Sequence, residues 1–248
     1  MKKNFVLVLF VLVLFSCTKE KVAPNPNNLQ EYLNLNLGLQ QDEVIACAAS
    51  DEFNTTISYI FFYPIKGATE IQYFETESTQ VNEKDFSLYT KKILPKEGVF
   101  DGYLQRFIRN DAKEVWGMLT YKTNGKLHKS NPIRLKHQTK PTEWNDKVNV
   151  SYVVNNSGTT PKFNWDDGVH KENAIYFQVI SDEKNKLLSG TYTYDKWFQY
   201  YVLDNVVLNI TTTKPPVLQK DVAYYFTMMG VSLDNWVNLV IFKRFIAQ

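Results

Sequence analysis

An acidic segment in the second half of the chain has residue types that bind metal ions. Asp166, Asp167, His170 and Glu172 lie in the stretch WDDGVHKEN, where Gly168 permits a sharp turn. Carboxylate oxygens presented by a turn are calcium ligands. However, the spacing lacks the alternating ligand order of a calcium loop, and turns between strands favour Asp, Gly and Asn on their own. Asp166, Asp167 and His170 are therefore weak metal candidates, and no cofactor is expected.

Four other carboxylates have the right chemistry for acid–base catalysis, but their spacing does not establish a catalytic pair. Glu75, Glu77, Asp195 and Asp204 contain the right groups for a glycosidase pair. Such a pair needs two carboxyl groups about 5–9 Å apart across a sugar cleft, which sequence spacing does not establish. The histidines, His128, His137 and His170, form no zinc-binding pattern, and the sequence has no nucleophile elbow and no phosphate loop. We therefore expect a protein that is not an enzyme, with an envelope polysaccharide-processing enzyme as the alternative.

An aromatic cluster is the stronger binding candidate. Trp197, Phe198, Tyr200 and Tyr201 lie together in DKWFQYYVLD. In a strand, Trp197 and Tyr201 would lie on one face and Phe198 and Tyr200 on the other. One pair would then be available to stack on a sugar or a partner protein, unless an edge loop or a neighbouring domain covers it.

The N-terminus has the layout of a secretory signal. Lys2 and Lys3 precede an uninterrupted apolar run at residues 5–15, which is short for a membrane span. The residues that end the run and follow it, Leu14-Phe15-Ser16-Cys17, resemble the lipobox of bacterial lipoproteins. This resemblance implies cleavage after residue 16, acylation of Cys17 with fatty acids such as palmitate, and attachment to a membrane.

The segment after Cys17 predicts a flexible tether at residues 17–28. It contains Pro24, Pro26 and several asparagines, which disfavour regular structure. Its style resembles lipoproteins of the Bacteroidota, which implies a location in the cell envelope at the outer membrane. Only Glu20 is acidic among the lysines that follow Cys17, so the periplasmic and surface orientations both stay open.

The second cysteine has no partner if Cys17 is acylated. Cys47 lies in VIACAAS, a small and apolar run that predicts a buried strand. We expect a free thiol that packs as a small hydrophobic side chain.

Composition indicates an all-β protein without affinity for nucleic acid. Aromatic residues make up 15% of the chain, and 28 basic side chains nearly balance 26 acidic ones. Residues 29–33 have the best helical spacing, but LNLNLGL directly after them alternates as a strand does. Asn124-Gly125 between two strand patterns predicts a type I′ hairpin. The polar stretch HQTKPTEWNDK is the candidate boundary between two domains.

The second half resembles a fibronectin type III or related immunoglobulin-like module. PKFNW resembles the strand that places a core tryptophan, here Trp165, and Leu218 with Tyr224 resembles the tyrosine-corner pattern. The first half matches more loosely, through VIACAAS, EVWGMLTY and SNPIRLK. The resemblance implies two tandem antiparallel β-sandwich domains, at residues 29–138 and 139–248. The expected function is non-catalytic binding, adhesion or scaffolding in the envelope, with a protein or glycan partner; a purely structural spacer is a further alternative.

Overall fold

The computed structural model describes residues 23–155 and 158–248, and these are mostly β-strands. One α-helix, α1 (Leu29–Leu35), begins the described fold, and a short 3₁₀-helical turn (Phe86–Leu88) lies just before the fifth strand. Strands of the first half follow α1: β1 (Gln40–Val44), β2 (Ala46–Ser50), β3 (Ile57–Phe62), β4 (Thr69–Glu75), β5 (Thr90–Lys92), β6 (Lys96–Val99), β7 (Leu104–Asn110), β8 (Trp116–Thr123), β9 (Lys126–Ser130) and β10 (Ile133–Arg134).

The second half continues in strands. They are β11 (Glu143–Asn145), β12 (Asn149–Asn155), β13 (Gly158–Asn164), β14 (Asn173–Ser181), β15 (Leu187–Thr193), β16 (Trp197–Gln199), β17 (Val206–Asn209), β18 (Ala223–Ser232) and β19 (Val237–Ile246).

These strands form four open sheets. Sheet I has the order β1-β9-β8-β4-β5, with β10 also paired to β8, and sheet II has the order β2-β3-β7-β6. Sheet III has the order β11-β19-β18-β14-β15-β17, and sheet IV has the order β12-β13-β16. The β1–β9 and β11–β19 pairs are parallel, and the other pairs within these sheets are antiparallel.

The sheets stack in the order I, II, III, IV, as the alternation of buried side chains shows. Ile60 of β3 packs into the core between sheets I and II, whereas its neighbour Phe61 packs into the core between sheets II and III. In β14, Phe177 belongs to the core between sheets II and III and Tyr176 to the core between sheets III and IV. In each inner sheet, successive side chains of a strand therefore point into two different cores.

Helix α1 covers the outer face of sheet I. Leu29, Tyr32 and Leu33 pack against Phe74 of β4 and Met118 of β8. The strand interpretation of LNLNLGL is therefore wrong, because its first residues belong to α1 and the rest to the turn before β1. The spacing of Leu29, Tyr32 and Leu33 puts all three on one helical face, which sheet I buries.

The last residues of the predicted tether are bonded to the fold. Asn28 caps α1 by accepting a hydrogen bond from the Glu31 N–H at 3.2 Å, and its amide donates to the Ser87 carbonyl at 2.7 Å. The Lys91 N–H donates to the Asn27 carbonyl at 2.8 Å. These contacts attach the described end of the segment to β5 and the turn before it.

The Asn124-Gly125 hairpin is confirmed. It joins β8 to β9, and φ is +51° at Asn124 and +72° at Gly125. Both central residues of a type I′ turn need positive φ, and asparagine and glycine adopt it at the lowest cost.

The predicted boundary segment runs along the junction of the two halves and bonds to both. Thr142 exchanges hydrogen bonds with Ser50 of the first half and donates from its hydroxyl to the Val237 carbonyl of the second at 2.8 Å. The indole N–H of Trp144 donates to the Ser50 carbonyl at 3.1 Å. The two halves are therefore in contact through this segment as well as through the faces of sheets II and III.

Candidate functional site

Strand β16 divides the aromatic cluster, because its successive side chains point to opposite sides of sheet IV. Phe198 pairs with Phe163 of β13, and both lie in the core between sheets III and IV. Trp197 pairs with Asn164 on the outer face. The opposite orientations of Trp197 and Phe198 agree with the sequence expectation, but Tyr201 does not continue the alternation, because β16 ends before it.

Phe198 and Tyr200 do not form a stacking surface, which corrects part of the sequence prediction. Their side chains are 1% and 0% exposed. The Tyr200 hydroxyl donates to the Pro216 carbonyl at 2.7 Å, and burial raises the pKa of this hydroxyl, so it stays protonated. Because the two rings are shielded from solvent, both are part of the core between sheets III and IV.

Trp197 and Tyr201 are both half-buried, but only Trp197 lies on the outer side of sheet IV. Tyr201 follows the end of β16 and packs against the core between sheets III and IV. The Lys162 ammonium lies 4.4 Å from the centre of the Trp197 ring, and the Lys214 ammonium lies 5.4 Å from that of Tyr201. Both distances fall within the range of cation–π attraction. The backbone of Tyr201 has φ of +69°, in a turn that directs its hydroxyl to the Pro215 carbonyl.

Polar groups surround these rings. Gln199 projects on the same side of β16 as Trp197, and its amide donates to the Thr160 hydroxyl at 3.0 Å. Tyr201 and Lys214 together border two surface grooves of about 290 and 410 Å³. We call the surface formed by Trp197, Gln199 and Lys162 the aromatic–basic face. It offers a ring face, an amide and an ammonium group, which can stack on, hydrogen-bond to and attract a ligand.

Asp167, a metal candidate, is instead the centre of a buried hydrogen-bond network. Its carboxylate is 4% exposed and lies 2.8 Å from the Tyr176 hydroxyl, 2.9 Å from the Asn173 amide and 3.0 Å from the Lys196 ammonium. The desolvation caused by burial, with the neighbouring Asp167, raises the pKa of Tyr176. These donors occupy the carboxylate, so it stabilises the fold locally.

The rest of the acidic segment is also engaged with protein groups. Asp166 accepts from the Gly168 N–H at 2.7 Å, which lowers the pKa of its carboxyl group, and His170 Nε2 lies 3.0 Å from a Glu143 oxygen. Glu172 pairs with Lys140. In residues 23–155 and 158–248, no group of three His, Cys, Asp or Glu side chains is arranged to hold a metal ion.

The glycosidase candidates have different partners and different exposure to solvent. Glu75 is buried and forms an ion pair with Arg109, at 2.8 Å, between sheets I and II. Glu77 pairs with Lys113 at the surface at 3.1 Å. Asp195 and Asp204 are exposed in the second half. The structure does not bring these four carboxylates together.

Cys47 is a free thiol in β2. It retains some accessible surface, because it borders a cavity between sheets II and III, yet its surroundings are apolar. Burial accordingly raises the pKa of the thiol to about 12. The cavity is a feature that sequence reasoning missed, since its walls come from segments distant in the chain.

The predicted lipidation residue, Cys17, and the signal segment lie outside the described residues. Within the described part of the chain, no helix has the length and apolar character needed to cross a bilayer.

Comparisons with known proteins give no relative that defines a family. No family model matches the chain, and no match is found among curated proteins. A solved structure of the receptor tyrosine kinase Torso, described in terms of neurohormone perception, aligns over 88% of this chain and 84% of that chain at 12% identity. Its TM-score is 0.26, which is too low to relate the two folds.

Proposed function

We propose that the protein is an exported lipoprotein, anchored through Cys17, that binds a partner in the cell envelope without catalysing a reaction. The observation that carries this proposal is the aromatic–basic face: Trp197 stays half-buried on the outer side of sheet IV beside Lys162 and Gln199, while Phe198 and Tyr200 enter the core. Half-buried rings with polar neighbours are typical of surfaces that bind sugars or proteins. A glycan is the partner we favour.

The favoured glycan carries acidic groups. A sugar would stack on the Trp197 ring by displacing the flexible Lys162 head, whose ammonium would then be free to pair with an acidic substituent. The amide of Gln199 lies on the same face and can form a hydrogen bond with a sugar hydroxyl group. Binding is favoured over catalysis because two of the carboxylates considered for a glycosidase pair, Glu75 and Glu77, are each engaged in an ion pair.

We further infer that both halves are immunoglobulin-like modules, the second of the fibronectin type III kind. Among the strands β12 to β19, the first, second and fifth form sheet IV, and the others form sheet III. This interleaving is typical of Greek-key sandwiches of the immunoglobulin class. The Tyr224 hydroxyl accepts from the Gln219 N–H at 3.0 Å, a bond of the kind found in tyrosine corners, and Trp165 is buried. In the first half, β2-β3-β7-β6 opposite β9-β8-β4 gives a similar interleaving.

Binding is tested on an array of bacterial envelope glycans with the full chain. Trp197→Ala should lower the signal from acidic glycans at least tenfold, and Lys162→Met should lower it for acidic glycans more than for neutral ones. Phe53→Ala is the control, because Phe53 is a ring that is 87% exposed on a loop of the first half. Equal signals from Trp197→Ala and the wild type would reject the aromatic–basic face as the binding surface.

Lipidation is tested by growing cells with alkyne-tagged palmitate. The wild type and Cys47→Ala should carry the label, and Cys17→Ala should not. An unlabelled wild type would refute the anchor, and a labelled Cys17→Ala protein would place acylation elsewhere.

A further inference from the structure

A cavity of about 230 Å³ lies between sheets II and III, where the two halves of the molecule meet. Its walls come from both halves and are largely apolar or aromatic. They include Phe61, Leu104, Phe177, Tyr192, Met229 and Val231.

The cavity reaches the surface along the edge strand β17. Leu208 of β17 and Ile45, which precedes β2, both line the cavity and are 42% and 38% exposed. Exposed apolar side chains at the rim of an apolar cavity give an uncharged molecule a continuous path inward. Glu43 also borders the cavity and is exposed, so an anionic molecule entering there would meet a like charge.

The volume and lining suit one ring or a short chain. An engineered apolar cavity of about 150 Å³ in another protein stays free of water and binds benzene. The present cavity is larger and has aromatic walls, with the Phe177 and Tyr192 rings stacked at 4.6 Å. The Cys47 thiol at the cavity wall stays protonated at neutral pH, because burial raises its pKa to about 12.

We propose that the cavity between sheets II and III binds a small uncharged apolar molecule, either a single aromatic ring or a short alkyl chain. Its lining shares no residue with the aromatic–basic face. The two proposals can therefore fail independently, and a loss of glycan binding would leave this one standing.

Toluene is the probe, and the methionine methyl groups of the full chain are the reporters. Met229 lines the cavity, whereas Met118 of β8 packs against α1 on the outer face of sheet I. With ¹³C-methyl labelling, the Met229 signal should shift saturably on addition of toluene while the Met118 signal stays in place. Benzoate, which has the same ring and a carboxylate, should bind at least tenfold more weakly.

Two substitutions on β17 provide a matched comparison. Leu208→Trp places an indole at the entrance and should weaken toluene binding at least tenfold. Val207→Trp adds the same ring to a position that is 47% exposed and does not line the cavity, so the dissociation constant should change less than twofold. An unchanged Met118 shift verifies that each variant is folded. If Leu208→Trp fails this check, Ile45→Trp replaces it at the same entrance.

Three results would overturn the proposal. The first is a Met229 signal that does not respond to toluene. The second is an equal response of Met118, which would indicate non-specific partitioning. The third is the same affinity in the entrance variant and in Val207→Trp.

Discussion

At the scale of single residues, buried polar groups connect loops to strands. The Tyr224 hydroxyl accepts a hydrogen bond from the Gln219 N–H at 3.0 Å, and the Tyr224 ring packs near Phe245 in the core between sheets III and IV. The bond fixes the loop that leads into β18. Asp167 acts similarly, since its carboxylate connects the turn after β13 to Tyr176 of β14.

Tyr224→Phe should lower the free energy of unfolding by about 1 kcal/mol. The substitution keeps the ring but removes the acceptor of the Gln219 N–H, and a hydrogen bond of this kind contributes about 0.5–1.5 kcal/mol. Urea denaturation measures the change. Tyr225→Phe, in which the neighbouring ring stacks on Phe242, should change stability by less than about 0.5 kcal/mol. Equal losses in the two variants would mean that the corner bond has no special role.

Several outcomes at this scale were predictable from sequence, and others were not. The burial of Trp165 and the orientation of Phe198 away from Trp197 follow from alternation in a strand. Strand alternation does not help to interpret Asp167. A carboxylate in a turn can bind a cation, but it can equally accept hydrogen bonds from protein groups. Its partners Tyr176 and Lys196 lie in different strands or loops, so their proximity depends on the assembled sandwich.

At the scale of elements, α1 depends on its cap and on the sheet beneath it. A helix of seven residues is too short to persist in water on its own. Asn28 satisfies an N–H of its first turn, and Leu29 and Tyr32 are buried against sheet I. Leu35 and Leu37 are exposed, so the alternating leucines that resemble a strand do not form a buried face.

Asn28→Ala should lower the free energy of unfolding by about 1 kcal/mol, because it removes the side-chain acceptor at the helix N-terminus. Thermal unfolding followed by circular dichroism measures the effect. Gln30→Ala is the control within the same helix, and we expect a change below about 0.5 kcal/mol. A larger loss in the control would show that side-chain contacts of α1 outweigh the cap.

At the scale of the whole molecule, the second half completes the core of the first. Trp236 follows the turn after β18, is fully buried, and packs with Ile60 and Phe107 between sheets I and II. The Ala48 N–H donates to the Asn235 carbonyl at 3.0 Å beside it. Sheet III is also buried on both faces, because its side chains enter the core shared with sheet II and the core shared with sheet IV. Two separate sandwiches would not require this.

An ion pair between the halves makes stability depend on pH. Asp234 of the second half lies 2.9 Å from the Lys136 ammonium of the first, and their side chains are 24% and 14% exposed. Burial opposes ionisation of Asp234, but hydrogen bonds from Ser232 and Lys136 outweigh it and lower its pKa. An acid with a lowered pKa in the folded state stabilises the fold above its unfolded pKa of about 3.9. That contribution is lost as the pH falls through the lower, folded value.

Asp234→Asn should therefore lower the free energy of unfolding at pH 7 by about 1–2 kcal/mol. The difference from the wild type should shrink as the pH falls below about 4, where the wild-type carboxyl group becomes protonated. Urea denaturation at several pH values measures this. Asp146→Asn removes an exposed partner of Lys243 and should have a much smaller effect, because solvent screens that pair. A difference that stays constant with pH would contradict the role of the Asp234 charge.

The sequence by itself determined the local features of this protein: strands from alternation, the Asn124-Gly125 hairpin, the opposite faces of Phe198 and Trp197, and a mostly β architecture. Each depends on residues close together in the chain, through backbone sterics and side-chain direction. Tertiary structure alone decided the stacking of sheet II on sheet III, the insertion of Trp236, the partners of Asp167 and the cavity beside Cys47. These depend on which faces meet, and burial of apolar surface selects that arrangement without regard to distance along the chain.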